Sequence, residues 1–289
     1  MKRLTKYIIS IFLMSYVLYS YGSEIQIIIK NVNLIYLPLV ILLSIFQYSL
    51  SAWRWHFIAS NTKYKIDYQD AIKFYYISGF LNNILPTGIL GDIYRTMNIK
   101  VNNEKGDFLK SFQSVIFERL SGQVSLLVTF ILSLAFLFFM NKKYEALFYT
   151  LTLIMILILL IKLFFKFNLK SKYINSFKYI FSGKLFYKHF FLSLIIVITY
   201  ITTYIICALA LELNIDIASF FVFAPLVLFS MTLPVSIGGW GVRETAALAV
   251  SFLLGLSVSA SVTVAIVYGL TNLICSVPGL YFLINKKSN

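Results

Sequence analysis

The sequence predicts an all-α integral membrane protein, a polytopic helical bundle of six to eight transmembrane helices with two broken or re-entrant helical segments. Of its 289 residues, 60% are hydrophobic and only 12% are charged, and the mean hydropathy is +0.84. This composition is typical of chains that cross a bilayer repeatedly, and it leaves no room for a large soluble domain. The net charge is +14, and the lysines fall between the apolar spans. We therefore interpret the positive charge as a signal of how the chain is oriented in the membrane, and we expect no nucleic-acid partner.

Six long apolar spans account for most of the chain. Each has about the twenty residues that a helix needs to cross the bilayer. The first follows Lys2, Arg3 and Lys6 in the manner of a signal peptide, but no small-residue cleavage site comes after it, so we expect an uncleaved helix. The spans lie at 6–22, 35–58, 115–140, 145–166, 188–211 and 260–284.

Two shorter apolar stretches, 71–98 and 217–255, are interrupted by proline, glycine and charged residues. Both contain proline, then isoleucine three places on, glycine five places on and arginine nine places on. We interpret them as helices that enter the membrane and turn back, although 217–255 is also long enough to cross fully as two helices. The predicted backbone and hinge positions are Pro86, Gly88 and Gly91 in the first stretch and Pro234, Gly238, Gly239 and Gly241 in the second.

The loop charges predict the orientation of the halves. Basic residues near both ends place the amino and carboxyl termini in the cytoplasm, and the lysine-rich segment 162–188 is cytoplasmic as well. Only Lys142 and Lys143 depart from this assignment. The prediction is therefore one transmembrane domain over 1–289 in the cell membrane, built as an inverted repeat of half-repeats at about 1–140 and 141–289.

Six charged residues within the apolar regions are the candidate substrate-binding residues. A charge at mid-membrane costs about 2.5–3.5 kcal/mol, so each needs a partner or water. We expect adjacent opposite charges to pair with other segments and not with each other, because neighbouring helical residues point about 100° apart. If helical, Asp92 and Arg95 share one face. The six are Asp92, Arg95, Glu118, Arg119, Arg243 and Glu244.

Two interpretations of these charges remain open. One is a set of ion pairs that lock the two halves together. The other is a phosphate site, because arginine offers a bidentate donor fork and glycine-rich backbone leaves its N–H groups accessible. Nearby, Asn82, Asn83 and Gln113 could bind a headgroup or cap the broken helix. Arg54, between Trp53 and Trp55, is predicted to anchor span two at the membrane interface, with contact to a headgroup as the alternative.

Little in the sequence indicates an enzyme. It has no P-loop, no Gly-x-Ser-x-Gly element and no His/Cys metal spacing, so we expect no cofactor, no metal and no catalytic residue.

At its motifs the chain resembles the lysylphosphatidylglycerol synthase transmembrane-region family, also called the flippase-like domain family. The similar segments are Phe80 to Arg95, Phe117 to Gly122, Pro234 to Glu244 and the cluster around Arg54. The resemblance implies translocation of a phosphate-containing or sugar- or aminoacyl-linked lipid between leaflets, by a stand-alone member without the aminoacyl transferase domain. Lipid- or polysaccharide-synthesis enzymes are the implied partners.

Two other functions stay open beside transport. The chain could be a membrane-bound transferase that uses a lipid-linked donor, or a non-catalytic membrane subunit of an envelope-lipid pathway. The sequence favours a transporter over an enzyme and does not define the oligomeric state.

Overall fold

The computed structural model describes residues 3–61, 66–85, 88–98, 100–101, 104–105, 108–140, 181, 183–233 and 236–285. Within these ranges the regular secondary structure is helical apart from one antiparallel pair of two-residue strands, so the predicted all-α class is confirmed. The predicted span 145–166 lies outside the described residues, and so do Pro86 and Pro234.

The chain runs through the following elements in order. The first part consists of α1 (Arg3–Lys30), a 3₁₀ turn (Leu34–Tyr36), α2 (Leu37–Asn61), α3 (Tyr68–Ile84), α4 (Leu90–Met97), the antiparallel strands β1 (Lys100–Val101) and β2 (Glu104–Lys105), and α5 (Phe108–Met140). The second part consists of α6 (Gly183–Ala210), α7 (Ile217–Ser230), α8 (Val242–Leu254), α9 (Val258–Ser276) and α10 (Pro278–Asn285).

Four helical spans in the described part of the chain are long and apolar enough to cross a membrane. They are Leu34–Asn61, Ser111–Leu137, Leu185–Ala210 and Val258–Asn285, and each coincides with a predicted span. The predicted span 6–22 lies in α1, which extends to Lys30 and is not one of the four.

Both interrupted stretches form two helices joined by a break. Residues 85–89 separate α3 from α4, and residues 231–241 separate α7 from α8. In the breaks, Gly88 has φ +59°, Gly238 has φ +54°, and Gly239 and Gly241 both have φ +83°. Residues with a Cβ rarely adopt this left-handed region of φ, which explains why glycine occupies these positions. Re-entry of these segments into the membrane stays a prediction.

Helix packing in the two halves follows the same pattern. The pairs α2–α3, α3–α4, α4–α5 and α2–α5 correspond to α6–α7, α7–α8, α8–α9 and α6–α9. Across the halves, α5 packs on α6 and α7, and correspondingly α9 packs on α2 and α3. The division into half-repeats at about 1–140 and 141–289 remains a proposal, and this correspondence supports it.

The largest apolar core lies among α5 to α9, around Phe220, Phe223 and Tyr204. The buried charges are instead concentrated where α2, α4 and α5 meet. The buried charges therefore lie beside the apolar core and not within it.

Candidate functional site

A cavity of about 300 Å³ lies between helices of the first and second parts of the chain. Helices α2 to α5 form one side of it, and α6, α7 and α9 form the other. Gly88 and Gly238, one from each interrupted stretch, both line it. The two motif segments therefore meet at one internal space.

Helix α4 places two charges on the wall of this cavity. Asp92 and Arg95 lie one helical turn apart, and Arg95 Nη2 is 2.8 Å from Asp92 Oδ1. Both side chains are buried, whereas Met97 at the end of the helix is 66% exposed. The expectation that Asp92 and Arg95 share a face is confirmed.

Glu118 on α5 connects α4 to α2. Its Oε2 accepts a hydrogen bond from Arg95 Nη2 at 2.8 Å, and its Oε1 is paired with Arg54 Nη2. The Tyr75 hydroxyl also donates to Oε1, at 3.2 Å. A single buried carboxylate thus pairs with two arginines from different helices and offsets one of their two positive charges.

Arg119 is the most accessible charge of this group. Its Nη2 is paired with Asp92 Oδ2 and donates to the Gly88 carbonyl oxygen at 2.8 Å. Its side chain is nevertheless 32% exposed, while that of Asp92 is 3% exposed. Arg119 therefore presents positive charge to the cavity.

Polar side chains of α3 hold Asp92 in position. The Ser78 hydroxyl donates to Asp92 Oδ1 at 3.2 Å, and Asn82 Nδ2 donates to Oδ2 at 3.4 Å. Asn82 Oδ1 also accepts from the Gly91 N–H at 2.8 Å, so it caps the first turn of α4. The predicted capping role of Asn82 is therefore observed, and its side chain also touches the charge cluster.

We call Arg54, Asp92, Arg95, Glu118 and Arg119 the charge cluster. All five line the cavity. Three arginines face two carboxylates, so the cluster has one positive charge in excess. A cavity of this kind attracts anions.

Arg243 and Glu244 lie apart from the charge cluster and do not line the cavity. Arg243 Nε donates to Glu244 Oε1 at 3.0 Å, so the expectation that these neighbours pair with other segments is wrong for them. The reason is helix capping, because Glu244 Oε2 turns back to accept the Gly241 N–H at 2.7 Å and brings its carboxylate alongside Arg243. The expectation is correct for Glu118 and Arg119, whose partners lie on other helices and loops.

The prediction that Arg54 anchors span two at the interface is wrong. Its side chain is buried in the cavity wall, bonded to Glu118 and, at 2.9 Å, to the Ser193 hydroxyl, a position compatible with the headgroup alternative. Trp55 beside it is fully buried, while Trp53 is 42% exposed. Among the described residues, no ion pair joins the two half-repeats, so the pairs do not lock them together.

The cavity also contains polar residues that sequence reasoning missed. Aromatic hydroxyls and amides on otherwise apolar helices have no distinctive spacing, so only their polarity could have drawn attention to them. They are Tyr48, Tyr75, Gln123, Tyr200, Tyr268 and Asn272.

Close packing explains several of the predicted hinge glycines. A Cβ at Gly238 would lie 2.6 Å from the Asn83 carbonyl oxygen, and one at Gly241 would lie 2.8 Å from Leu13 Cβ. At Gly239 the added atom would lie 3.1 Å from Met231 Cγ. The second interrupted stretch is therefore pressed against the first, through Gly238 and Asn83.

These features define a polytopic helical membrane protein in which two broken helices and a buried charge cluster surround an internal cavity. The chain belongs to a known family of such proteins, since the model of the lysylphosphatidylglycerol synthase TM region matches residues 3–279. No curated protein and no solved structure matches it. Membership indicates a function connected with membrane lipids.

Proposed function

We propose that this chain is a flippase-like translocase that moves a phosphate-containing lipid between leaflets of the cell membrane. The observation that carries the proposal is the excess positive charge of the charge cluster, presented by Arg119 to a cavity that both interrupted stretches line. Polar groups within a transmembrane bundle are expensive and typically mark a substrate pathway. An anionic headgroup is the complementary ligand.

Unused hydrogen-bond donors support an anionic ligand. Arg95 Nε and Nη1 are buried and have no hydrogen-bond partner among the described residues, and the same holds for Arg54 Nε. The Arg95 guanidinium also stacks 4.7 Å from the Trp55 ring centre, which holds its plane in place. A fixed guanidinium with unused donors is suited to bind phosphate oxygens.

The size of the cavity suits a headgroup and not a whole lipid. Its volume of about 300 Å³ lies at the lower end of the range for small-molecule sites. The acyl chains would therefore remain among the apolar helices. We infer that the Gly88 and Gly238 segments form a gate on either side of the headgroup, and that both termini lie in the cytoplasm.

Paired carboxylates weigh against the transferase alternative. Asp92, Glu118 and Glu244 are each neutralised by at least one arginine, so none of them resembles an available catalytic base. The lipid substrate itself and any partner enzymes of lipid or polysaccharide synthesis remain part of the proposal.

Reconstitution in vesicles tests the proposed function. Arg119→Gln removes the excess charge, whereas Arg95, Ser78 and Asn82 continue to hold Asp92. We expect wild-type protein to translocate fluorescent phosphatidylglycerol or a polyprenyl phosphate, and Arg119→Gln to reduce the rate about tenfold or more, the cost of about 1.4 kcal/mol of headgroup binding.

The matched controls separate charge from damage. Arg119→Lys keeps the charge and should retain most activity, and Lys73→Gln removes a cation from an exposed pair with Asp70, so it should have no effect. Equal translocation by wild type and Arg119→Gln would refute the proposed site. Transport of no anionic lipid by any of these proteins would refute the function.

A further inference from the structure

A buried histidine is linked to the charge cluster by hydroxyl groups. The Ser121 Oγ atom on α5 lies 2.9 Å from His189 Nδ1 and 2.8 Å from Ser193 Oγ, both on α6. Ser193 Oγ accepts a hydrogen bond from Arg54 Nη1 at 2.9 Å, and Arg54 is paired with Glu118. His189, Ser121 and Ser193 are all at most 1% exposed.

The hydroxyls satisfy this chain of bonds in either protonation state of the imidazole. Ser193 donates to the His189 backbone carbonyl at 2.7 Å, which leaves its lone pairs for Arg54 and Ser121. When Nδ1 carries no proton, Ser121 donates to Nδ1 and Ser193 turns to donate to Ser121, because either hydroxyl can be the donor of their contact. In the imidazolium, Nδ1 donates to Ser121, whose hydroxyl turns and donates to Ser193, and Ser193 donates to the His189 carbonyl.

We propose that His189 is a proton-binding site coupled to anion binding in the cavity, an inference that rests on the proposed function. A second ring proton, which converts His189 to an imidazolium, adds a positive charge next to a cluster that already has one in excess. An anion in the cavity offsets both charges, so proton uptake and headgroup uptake favour each other. By thermodynamic reciprocity, each must raise the affinity for the other by the same factor.

The charged surroundings of His189 determine the sign of the coupling. Arg54 of α2 reaches it through Ser193, and Arg54 is in turn paired with Glu118 of α5. Lys188, the preceding residue on α6, is exposed. The rings of Phe186 on the same helix and of Phe181 before it contact the imidazole edge-on. These groups include more positive than negative charge, so an anion that enters the cavity favours the imidazolium.

The titration of His189 can be followed directly, because the chain has only two histidines. His56→Gln leaves His189 as the only imidazole, and NMR of the ring in detergent then gives its titration midpoint. The probe is glycerophosphoglycerol, a phosphodiester whose charge is constant across the range in which histidine titrates. We expect the probe to raise the midpoint by about 1 pH unit, and Ser121→Ala to diminish that rise.

A second comparison needs no ligand. Arg119→Gln removes one positive charge from the charge cluster to which His189 is linked, so it should raise the His189 midpoint in the absence of probe. An unchanged midpoint in this variant, or no titration between about pH 5 and 8, would overturn the inference.

Transport provides the last measurement and distinguishes the two proposals. We expect wild type to translocate labelled phosphatidylglycerol about fivefold faster at pH 6 than at pH 8, while His189→Asn, which keeps an amide near Nδ1, loses that dependence. His56→Gln should behave as wild type, since His56 Nδ1 contacts the Ile66 carbonyl oxygen outside the charge cluster. Transport at a rate that does not depend on pH would overturn the coupling and leave the proposed function standing. If the probe shifts the His189 midpoint but no lipid is transported, the proposed function is refuted and the coupling stands.

Discussion

The substitution Gly91→Ala tests whether the close approach of α3 and α4 holds the charge cluster together. Helix α4 approaches α3 so closely that a Cβ at Gly91 would lie 2.7 Å from Ser78 Cα and would overlap the Ser78 carbonyl oxygen. Heavy atoms pack best at about 3.5–4.0 Å, so Gly91→Ala must separate the two helices by about 1 Å. Both obstructing atoms belong to the backbone, so no side-chain rotation relieves the overlap.

The separation breaks bonds that position Asp92. The 2.8 Å bond from the Gly91 N–H to Asn82 and the 3.2 Å bond from Ser78 to Asp92 both lengthen beyond hydrogen-bonding range. Overpacking costs about 1–3 kcal/mol and each lost bond about 1 kcal/mol, so we expect a loss of about 3–5 kcal/mol of unfolding free energy. At about 2–4 °C per kcal/mol, the melting temperature should fall by about 10 °C.

Thermal unfolding in detergent, followed by circular dichroism, measures this effect. Gly22→Ala is the matched control, because Gly22 also lies within a helix but has no neighbour within 4 Å of an added Cβ. Alanine favours a helix over glycine by about 1 kcal/mol, so this variant should melt at or slightly above the wild-type temperature. If Gly91→Ala melted together with Gly22→Ala, the close approach of α3 and α4 would be wrong.

Three further changes have defined outcomes. Gly269→Ala places a Cβ against the buried Arg243 guanidinium, which must shift, and this overpacking should lower stability by about 1–3 kcal/mol in thermal unfolding. Glu118→Ala leaves two buried arginines without their shared carboxylate, and the folded fraction in size-exclusion chromatography should collapse. Hydrogen bonds from Ser219 lower the pKa of Asp216, which caps α7. The charged cap stabilises fully above the ordinary pKa of an aspartate. The advantage of wild type over Asp216→Ala, about 1 kcal/mol at neutral pH, should therefore be lost in melting experiments as the pH falls through the lowered pKa of Asp216.

The sequence predicted the parts of this fold that depend on local chemistry. Long apolar runs require helices in a membrane, and glycines such as Gly88 and Gly238 mark where the helices break. The Asp92–Arg95 pair followed from helical spacing alone. These features are encoded within a few neighbouring residues, so they are readable without knowledge of the packing.

The remaining parts depend on contacts between distant segments. Arg54 resembled an interface anchor because Trp53 and His56 flank it, but α2 continues to Asn61 and buries it against α5 and α6. Arg243 and Glu244 pair with each other because a backbone N–H fixes the carboxylate, a detail that residue spacing does not contain.

The shared carboxylate has a consequence for how the chain is made. Arg54 enters the membrane on α2, but its partner Glu118 lies 64 residues further along the chain. At about 5–20 residues per second, synthesis takes roughly 3–13 s to reach that partner. During that interval α2 carries an uncompensated charge that costs about 2.5–3.5 kcal/mol at mid-membrane. We therefore expect α2 to reach its full stability in the membrane only after α5 has been synthesised and Glu118 has paired with Arg54.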